Sequence, residues 1–203
     1  MSGKKLDQVY EEKDLGILVD SDLKFHKQTS AAVKKGSRSL GMIKKSFAFL
    51  DASTLSALYK PLVRTHLEYG NVVWGPHFQE DKKAVERVQR RATKIVQDIK
   101  DLSYEERLRI LELPSLLHRR RRGDMIFTYK IFTEQVGLDK NVFFPSPQRS
   151  MRGHQFQIMK KKATKLCRTT SYSNRVIDDW NPLPLKVITA KTTDKFKEFI
   201  DDH

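Results

Sequence analysis

A single cysteine, Cys167, occurs among 203 residues, which excludes an intramolecular disulfide and a zinc site built from several thiolates. No run of about 18 apolar residues is present, so a membrane span is not expected. The first residues, Met1-Ser2-Gly3-Lys4-Lys5-Leu6-Asp7, hold none of the apolar stretch of a signal peptide. The reading is a soluble intracellular chain of the cytoplasm or nucleus. Catalytic patterns are scarce too: there is no glycine-rich phosphate loop, nucleophile elbow or triad spacing. His26, His66, His77, His118, His154 and His203 are scattered, and each reads as structural or solvated. No cofactor and no metal are expected. Carboxylates are also in short supply, with 25 Asp and Glu against 39 Lys and Arg, for a net charge of +14. Such a balance concerns partners rather than fold, and points to phosphate backbones first and anionic membrane surfaces second.

What is there reads as mainly α, with a small β element at the start. Leu15, Ile17 and Val19 alternate as one strand, with Asp20-Ser21-Asp22 as the following turn. One strand is not stable alone. It either forms a hairpin with Leu6–Tyr10 or belongs to a larger sheet. Helical spacing then runs from about Lys27 to Phe47, with Val33, Leu40, Ile43 and Phe47 on one side and Gly36 and Gly41 weakening it by ~1 kcal/mol each. A second helix is expected from Asp51 or Ser53 through Tyr69, kinked or restarted at Pro61. Residues 70 to 76 break it, with Trp74 as a buried anchor.

The third helix, from about Asp81 to Lys100, has the clearest pattern. Val85, Val88, Ala92, Ile95, Val96 and Ile99 fall on one arc, and Lys83, Arg87, Arg90, Arg91 and Lys94 on the opposite one. Glu86, four residues before Arg90, is placed for a helical ion pair. Ser103-Tyr104-Glu105-Glu106 reads as a capping box. Beyond Pro114 a further helix is expected to carry Arg119-Arg120-Arg121-Arg122 in its first half. Residues 148–176 hold no Asp or Glu and read as short strands or irregular coil. Trp180-Asn181-Pro182-Leu183-Pro184 is a rigid turn, and a last amphipathic helix starts near Thr193. The expected divisions are 1–25, a strand remnant; 26–100, a helical bundle; and 101–203, a basic helical and irregular region.

Most charge stripes are solvated surface, but ordinary surface helices interleave signs, whereas this face sets four or five cations against a single acidic partner. Lys83, Arg87, Arg90, Arg91 and Lys94 are therefore candidate phosphate contacts. Four consecutive arginines wrap round a helix, so of the 119–122 run only two, assigned to Arg119 and Arg122, are expected to face phosphate, the others pairing with carboxylates such as Asp124 or Glu112. Lys160, Lys161, Lys162, Lys165 and Arg168, with His154, Phe156 and Tyr172 interspersed, suit single strands or RNA loops, where cations track phosphates and rings stack on bases. The alternative there is a flexible tail with a few core aromatics. Phe199-Ile200-Asp201-Asp202 has the form of the aromatic-x-Asp-Asp signature of reverse transcriptases. It lies in a helical pattern with no strand after it, whereas two-metal chemistry needs the pair on a tight hairpin beside another carboxylate. It is expected to be a helix end.

An ordered series of segments resembles the region downstream of the catalytic palm in reverse transcriptases of non-LTR (LINE-type) retrotransposons, jockey-like and vertebrate-repeat-like elements above all. The carrying segments are Glu12-Lys13-Asp14-Leu15-Gly16-Ile17 with His26, then Leu58-Tyr59 and Val63-Arg64. His66-Leu67-Glu68-Tyr69-Gly70 with Val73-Trp74 follow, and then Glu86-Arg87-Val88-Gln89-Arg90-Arg91-Ala92-Thr93-Lys94. Later come Tyr104-Glu105-Glu106-Arg107-Leu108, Leu113-Pro114-Ser115-Leu116 and Arg119-Arg120-Arg121-Arg122-Gly123-Asp124. Arg175-Val176, Trp180-Asn181-Pro182-Leu183-Pro184 and Phe196-Lys197 complete the series. The resemblance implies a remnant of palm strand, a helical thumb that grips template–primer duplex, and a C-terminal region. The palm's metal-binding carboxylates would lie before residue 1, so the expectation is a fragment of an RNA-directed DNA polymerase with no catalysis of its own. Its partners would be RNA, RNA–DNA hybrid or DNA. The rival expectations are a subunit acting with a separate palm, a decayed element, and a basic protein-interaction module.

Overall fold

The computed structural model describes residues 9–144, 156–160 and 162–202. Strands β1 (Glu11–Asp14) and β2 (Ile17–Asp20) pair antiparallel, with Asp14 opposite Ile17. Only Leu15 and Gly16 connect them, with φ of 44° and 84°. Two positive φ values make the tight turn whose twist suits a hairpin, and Gly16 takes the second at no steric cost. The strand expected from Leu15 thus starts at Ile17 and pairs with Glu11–Asp14; of the expected partner Leu6–Tyr10, residues 6–8 lie outside the described residues. Leu15 is a turn residue, 82% exposed.

Asp20 organises the exit from β2: its carboxylate accepts the Lys24 and Phe25 backbone N–H groups at 2.8 and 2.7 Å. Helix α1 (His26–Ser46) follows. Gln28 of α1 is buried and accepts the Leu18 N–H, so the sheet edge is covered. Ile17, Phe25, Ala32 and Trp74 close a small core beneath the hairpin.

Asp51 caps α2 (Ala52–Tyr59) by accepting the Thr54 N–H at 2.7 Å. A π-helical turn, Lys60–Arg64, leads into α3 (Thr65–Glu68). Pro61 has no N–H and its ring crowds the carbonyl four residues back, so a regular α-turn is refused there. The wider π-turn relieves that crowding without breaking the helix. Gly70, with φ of 63°, opens α4 (Asn71–Trp74). A Cβ at Gly70 would stand 2.5 Å from Ile17 Cδ1, which reserves the position for glycine. Trp74 is fully buried and donates its indole N–H to Tyr69 O.

Helix α5 (Gln79–Thr93) packs on α1, and the capping box of Ser103 and Glu106 starts α6 (Tyr104–Ile110). The main core gathers Leu40, Ile43, Leu55, Tyr59, Val63, Leu67, Val85, Val88 and Ala92, and is closed by Leu111, Leu113 and Leu116. The chain divides into two compact units, one to Leu116 and one from Leu117. Residues 101–116 thus pack with the first unit, whereas the sequence reading placed them with the second.

Helix α7 (Leu116–Phe132) leads into the second unit, followed by α8 (Lys140–Phe143). Of the short strands or irregular coil expected over 148–176, 157–160 is coil, whereas helical turns α9 (Leu166–Thr169) and α10 (Tyr172–Arg175) follow in place of either. Then come α11 (Ile177–Trp180), α12 (Leu185–Ile188) and α13 (Thr193–Asp201). Trp180 and Phe196 are fully buried, with Phe132 stacked on Trp180 and Tyr129 on Phe196. Asn181 pairs by its side chain with both the N–H and the C=O of Ile158. That double bond substitutes for the sheet neighbour an extended segment would otherwise need. The architecture is mainly helical with one small N-terminal antiparallel sheet. Among the described residues no helix is long and apolar enough to cross a membrane.

Candidate nucleic-acid interface

Helix α5 carries Glu80 and Asp81 in its first turn and Arg90 and Arg91 in its last, the polarity its dipole favours. Val85, Val88 and Ala92 are buried at 1% exposure or less. Lys83, Arg87, Arg90, Arg91 and Lys94 are all exposed. The five cations therefore share the solvent side of one short element.

The helix stops at Thr93, seven residues short of the expected Lys100, and Ile95, Val96 and Ile99 follow in a turn and a short 3₁₀ segment, Gln97–Ile99. Arg107, 4% exposed, explains the stop. Its guanidinium donates to Thr93 Oγ1 at 3.0 Å and to the carbonyls of Lys100 and Leu102. It pins the loop after Thr93 at both ends, through the Thr93 hydroxyl and through carbonyls at its far end that have no helical partner.

Glu86 does not pair with Arg90 as its spacing suggests. Its carboxylate accepts the Tyr104 hydroxyl and the Leu116 N–H, the latter at 3.1 Å, at the start of α7. A carboxylate there meets the positive end of the helix dipole. Arg90 instead lies over the Tyr104 ring, 4.0 Å from its centroid. Asp81 is likewise engaged, at 2.7 Å from His26 Nδ1. The carboxylates of Glu86 and Asp81 are thus withdrawn from the outer face, which leaves its cations without acidic neighbours of their own helix beyond Glu80.

Arg91 donates to Ser37 Oγ at 2.6 Å, which ties α5 to α1. Helix α1 adds a feature the sequence reading missed. It contains Lys27, Lys34, Lys35, Arg38, Lys44 and Lys45 and no carboxylate. All six are exposed, and Lys27 pairs with Glu11 of the hairpin. The signal is present in the sequence, since residues 26–46 hold six Lys or Arg and no Asp or Glu.

Below α5 a buried polar hub fixes the helix. Gln89 is fully buried, accepts the Tyr59 hydroxyl at 2.7 Å, and donates to Tyr104 Oη and to Pro114 O. Burial pushes the Tyr59 and Tyr104 hydroxyls well above the ordinary tyrosine range, with the Glu86 carboxylate adding to it, so both remain neutral donors.

In the second unit the cations are more committed. Arg120 is buried, Arg119 and Arg122 are half-buried, and Arg121 reaches Asp179 at 3.9 Å. Arg122 forms a two-pronged pair with Asp201 at 2.6 and 2.7 Å. Asp124 accepts a two-pronged pair from Arg175, a partner the sequence reading did not name. Lys160 pairs with Asp178, so the stretch without acids in sequence has an acid in space. Lys162, Lys165 and Arg168 are exposed, whereas Lys161 and His154 lie outside the described residues. Tyr172 and Phe156 are half-buried or deeper and pack against Phe127, Phe144 and Phe132. Those rings serve a core.

Asp201 ends α13, as expected of the Phe199-Ile200-Asp201-Asp202 segment. The Arg122 guanidinium beside it holds its carboxyl below the usual range, and the Asp201 carboxylate raises the arginine in turn. Among the described residues no group of three or more His, Cys, Asp or Glu is placed to hold a metal. No family model, no curated protein and no solved structure matches the chain.

Proposed function

We propose that the chain binds nucleic acid by its phosphate backbone, without regard to base sequence, through the outer face of α5 with α1 beside it. The observation that carries this is the segregation on α5: Lys83, Arg87, Arg90, Arg91 and Lys94 lie outward while Glu86 and Asp81 turn to internal partners. From Lys83 to Lys94 such a stripe is about 16 Å long at the helical rise, enough to follow several phosphates. The wider reading is a thumb-like part of a non-LTR retrotransposon RNA-directed DNA polymerase, holding template–primer duplex and performing no catalysis itself. The ordered sequence segments support it, as does the engagement of Asp201 by Arg122, which leaves the one aromatic-x-Asp-Asp segment unsuited to clamp metal.

Binding of RNA–DNA hybrid and of duplex DNA, measured against salt, tests the proposal. Each phosphate neutralised contributes about 0.9 to the slope of log affinity on log salt with B-DNA. Lys83→Gln, Arg87→Gln and Lys94→Gln together leave the buried face intact and spare Arg90, whose stacking on Tyr104 is structural. The triple variant is expected to fold normally, to bind every sequence more weakly, and to lose about two to three units of slope. Unchanged affinity and slope would make the stripe ordinary solvated surface. Homogeneous protein is expected to extend no primer with magnesium or manganese; template-dependent incorporation would defeat the non-catalytic reading.

A further inference from the structure

Between the last turns of α1 and α5 lies an open cleft of about 450 Å³. Its walls combine two kinds of group. Lys44, Arg91 and Lys94 supply positive charge, and Phe47, Phe49 and Ile95 supply apolar surface. Among the described residues no carboxylate lines it. Phe47 and Phe49 are 42% and 62% exposed, although Leu50 beside them is buried and anchors their loop. Two phenyl rings left in water next to three cations are costly unless something covers them.

The bland account is that these cations merely offset the negative ends of two helix dipoles. The magnitudes do not support it. Two helix C-termini contribute about half a negative charge each. Lys44, Lys45, Arg90, Arg91 and Lys94 stand on or beside those turns, and they outnumber that charge several-fold. The surplus is positive, and it sits where flat apolar faces are open. The matching ligand carries an anionic group next to a planar ring, and the volume falls within the roughly 300–1,000 Å³ of small-ligand sites.

We infer that this cleft takes one unpaired nucleotide at the end of a bound duplex, its base against Phe49, the more exposed ring, and its phosphates against Arg91 and Lys94. The inference rests on the proposed backbone binding by α5 and gives it a substrate: a duplex with a single-stranded end rather than a blunt one. Lys94 and Arg91 belong both to the stripe and to the cleft wall, so a strand tracked along α5 reaches the cleft without a gap in charge. Arg91 is steadied by Ser37, which limits the entropy lost on binding.

The experiment compares full-chain binding to a labelled RNA–DNA hybrid with blunt ends, with a three-nucleotide overhang, and with the same overhang lacking bases. Stacking of a base on an aromatic side chain is worth roughly tenfold to a hundredfold in affinity. The overhang is expected to bind about tenfold tighter than the blunt hybrid, and the abasic overhang to lose that gain. Phe49→Ala is expected to remove the gain and leave blunt binding unchanged, while Phe49→Trp restores it. Blunt binding with no gain from the overhang overturns the cleft and leaves the stripe standing. A gain that survives both the abasic overhang and Phe49→Ala is purely electrostatic, and also overturns it. Binding to none of the three duplexes overturns both readings.

Discussion

Gln89 engages both ends of its amide inside the first unit: the oxygen accepts from Tyr59, and the nitrogen donates to Tyr104 and Pro114. Removing one side of such a pair strands the other in a dry core. Tyr59→Phe or Gln89→Leu alone is expected to cost about 1–3 kcal/mol, since each leaves a buried polar group unpaired. Together they should cost less than the sum by about 1 kcal/mol, and urea unfolding of the four proteins measures the difference. Strict additivity would show that the pair is not coupled. The Arg122–Asp201 pair is a different case, being 29% and 47% exposed. Solvent screens it, so Asp201→Asn is expected to cost only about 0.5–1 kcal/mol, and the neighbouring Asp202→Asn nothing measurable. Because Arg122 depresses the Asp201 carboxyl in the folded state, the contribution is complete above the ordinary carboxyl value of 3.8 and is lost as pH falls through the lower folded value. Acid titration of stability should therefore diverge between wild type and Asp201→Asn near neutrality and converge at the acid end.

Among elements, α1 offers a controlled comparison, because two glycines in it face different surroundings. A Cβ at Gly41 would meet nothing within 4 Å, but one at Gly36 would lie 3.0 Å from Leu67 Cδ2. Gly41→Ala is expected to stabilise by about 0.5–1 kcal/mol, and Gly36→Ala to destabilise by about 1 kcal/mol because Leu67 is fixed in the core. Thermal melting of the two variants checks the opposite signs. That contrast also shows where sequence reading stops. The helical propensity penalty of both glycines is visible in the chain, but the neighbour that makes one of them necessary is 31 positions away in sequence. The same limit governs the candidate interface. The outward face of α5 was legible from period alone, since Val85, Val88 and Ala92 share one arc. Its end at Thr93 was not, because Arg107 holds the following loop through contacts that periodicity does not encode. Glu86 misled for a related reason. Its spacing to Arg90 is right for an ion pair, yet Tyr104 and Leu116 offer it less exposed partners. The Leu15-Gly16 hairpin was missed because alternation was counted through Leu15, which belongs to the turn.

At the scale of the molecule, a net charge of +14 acts on stability and on binding with opposite signs. Self-repulsion of the cations opposes the compact state, whereas surface ion pairs contribute little. Salt screens that repulsion. The melting temperature is therefore expected to rise between 50 and 500 mM salt while nucleic-acid affinity falls steeply over the same range. Calorimetry and a binding titration in matched buffers make the comparison, and a melting temperature that falls with salt would show attractive ion pairs to dominate.

The π-helical turn at Pro61 has an effect on timing along the chain. Leu55, Tyr59, Val63 and Leu67 follow one another at intervals of four and are all fully buried. In an unbroken α-helix a step of four overshoots a full turn by about 40°, so the fourth residue of such a series would have rotated about 120° away from the first. The wide turn at Lys60–Arg64 runs slow and cancels part of that drift. It works as a phase correction, and everything downstream is set by it, including Tyr69, whose hydroxyl holds Leu15 O, and Trp74 under the hairpin. Deleting one residue from Lys60–Arg64 would let the helix regularise, yet would turn those two anchors by about 100° and draw them back about 1.5 Å. The hairpin, more than 40 residues upstream, would lose its seat while its own sequence stayed intact.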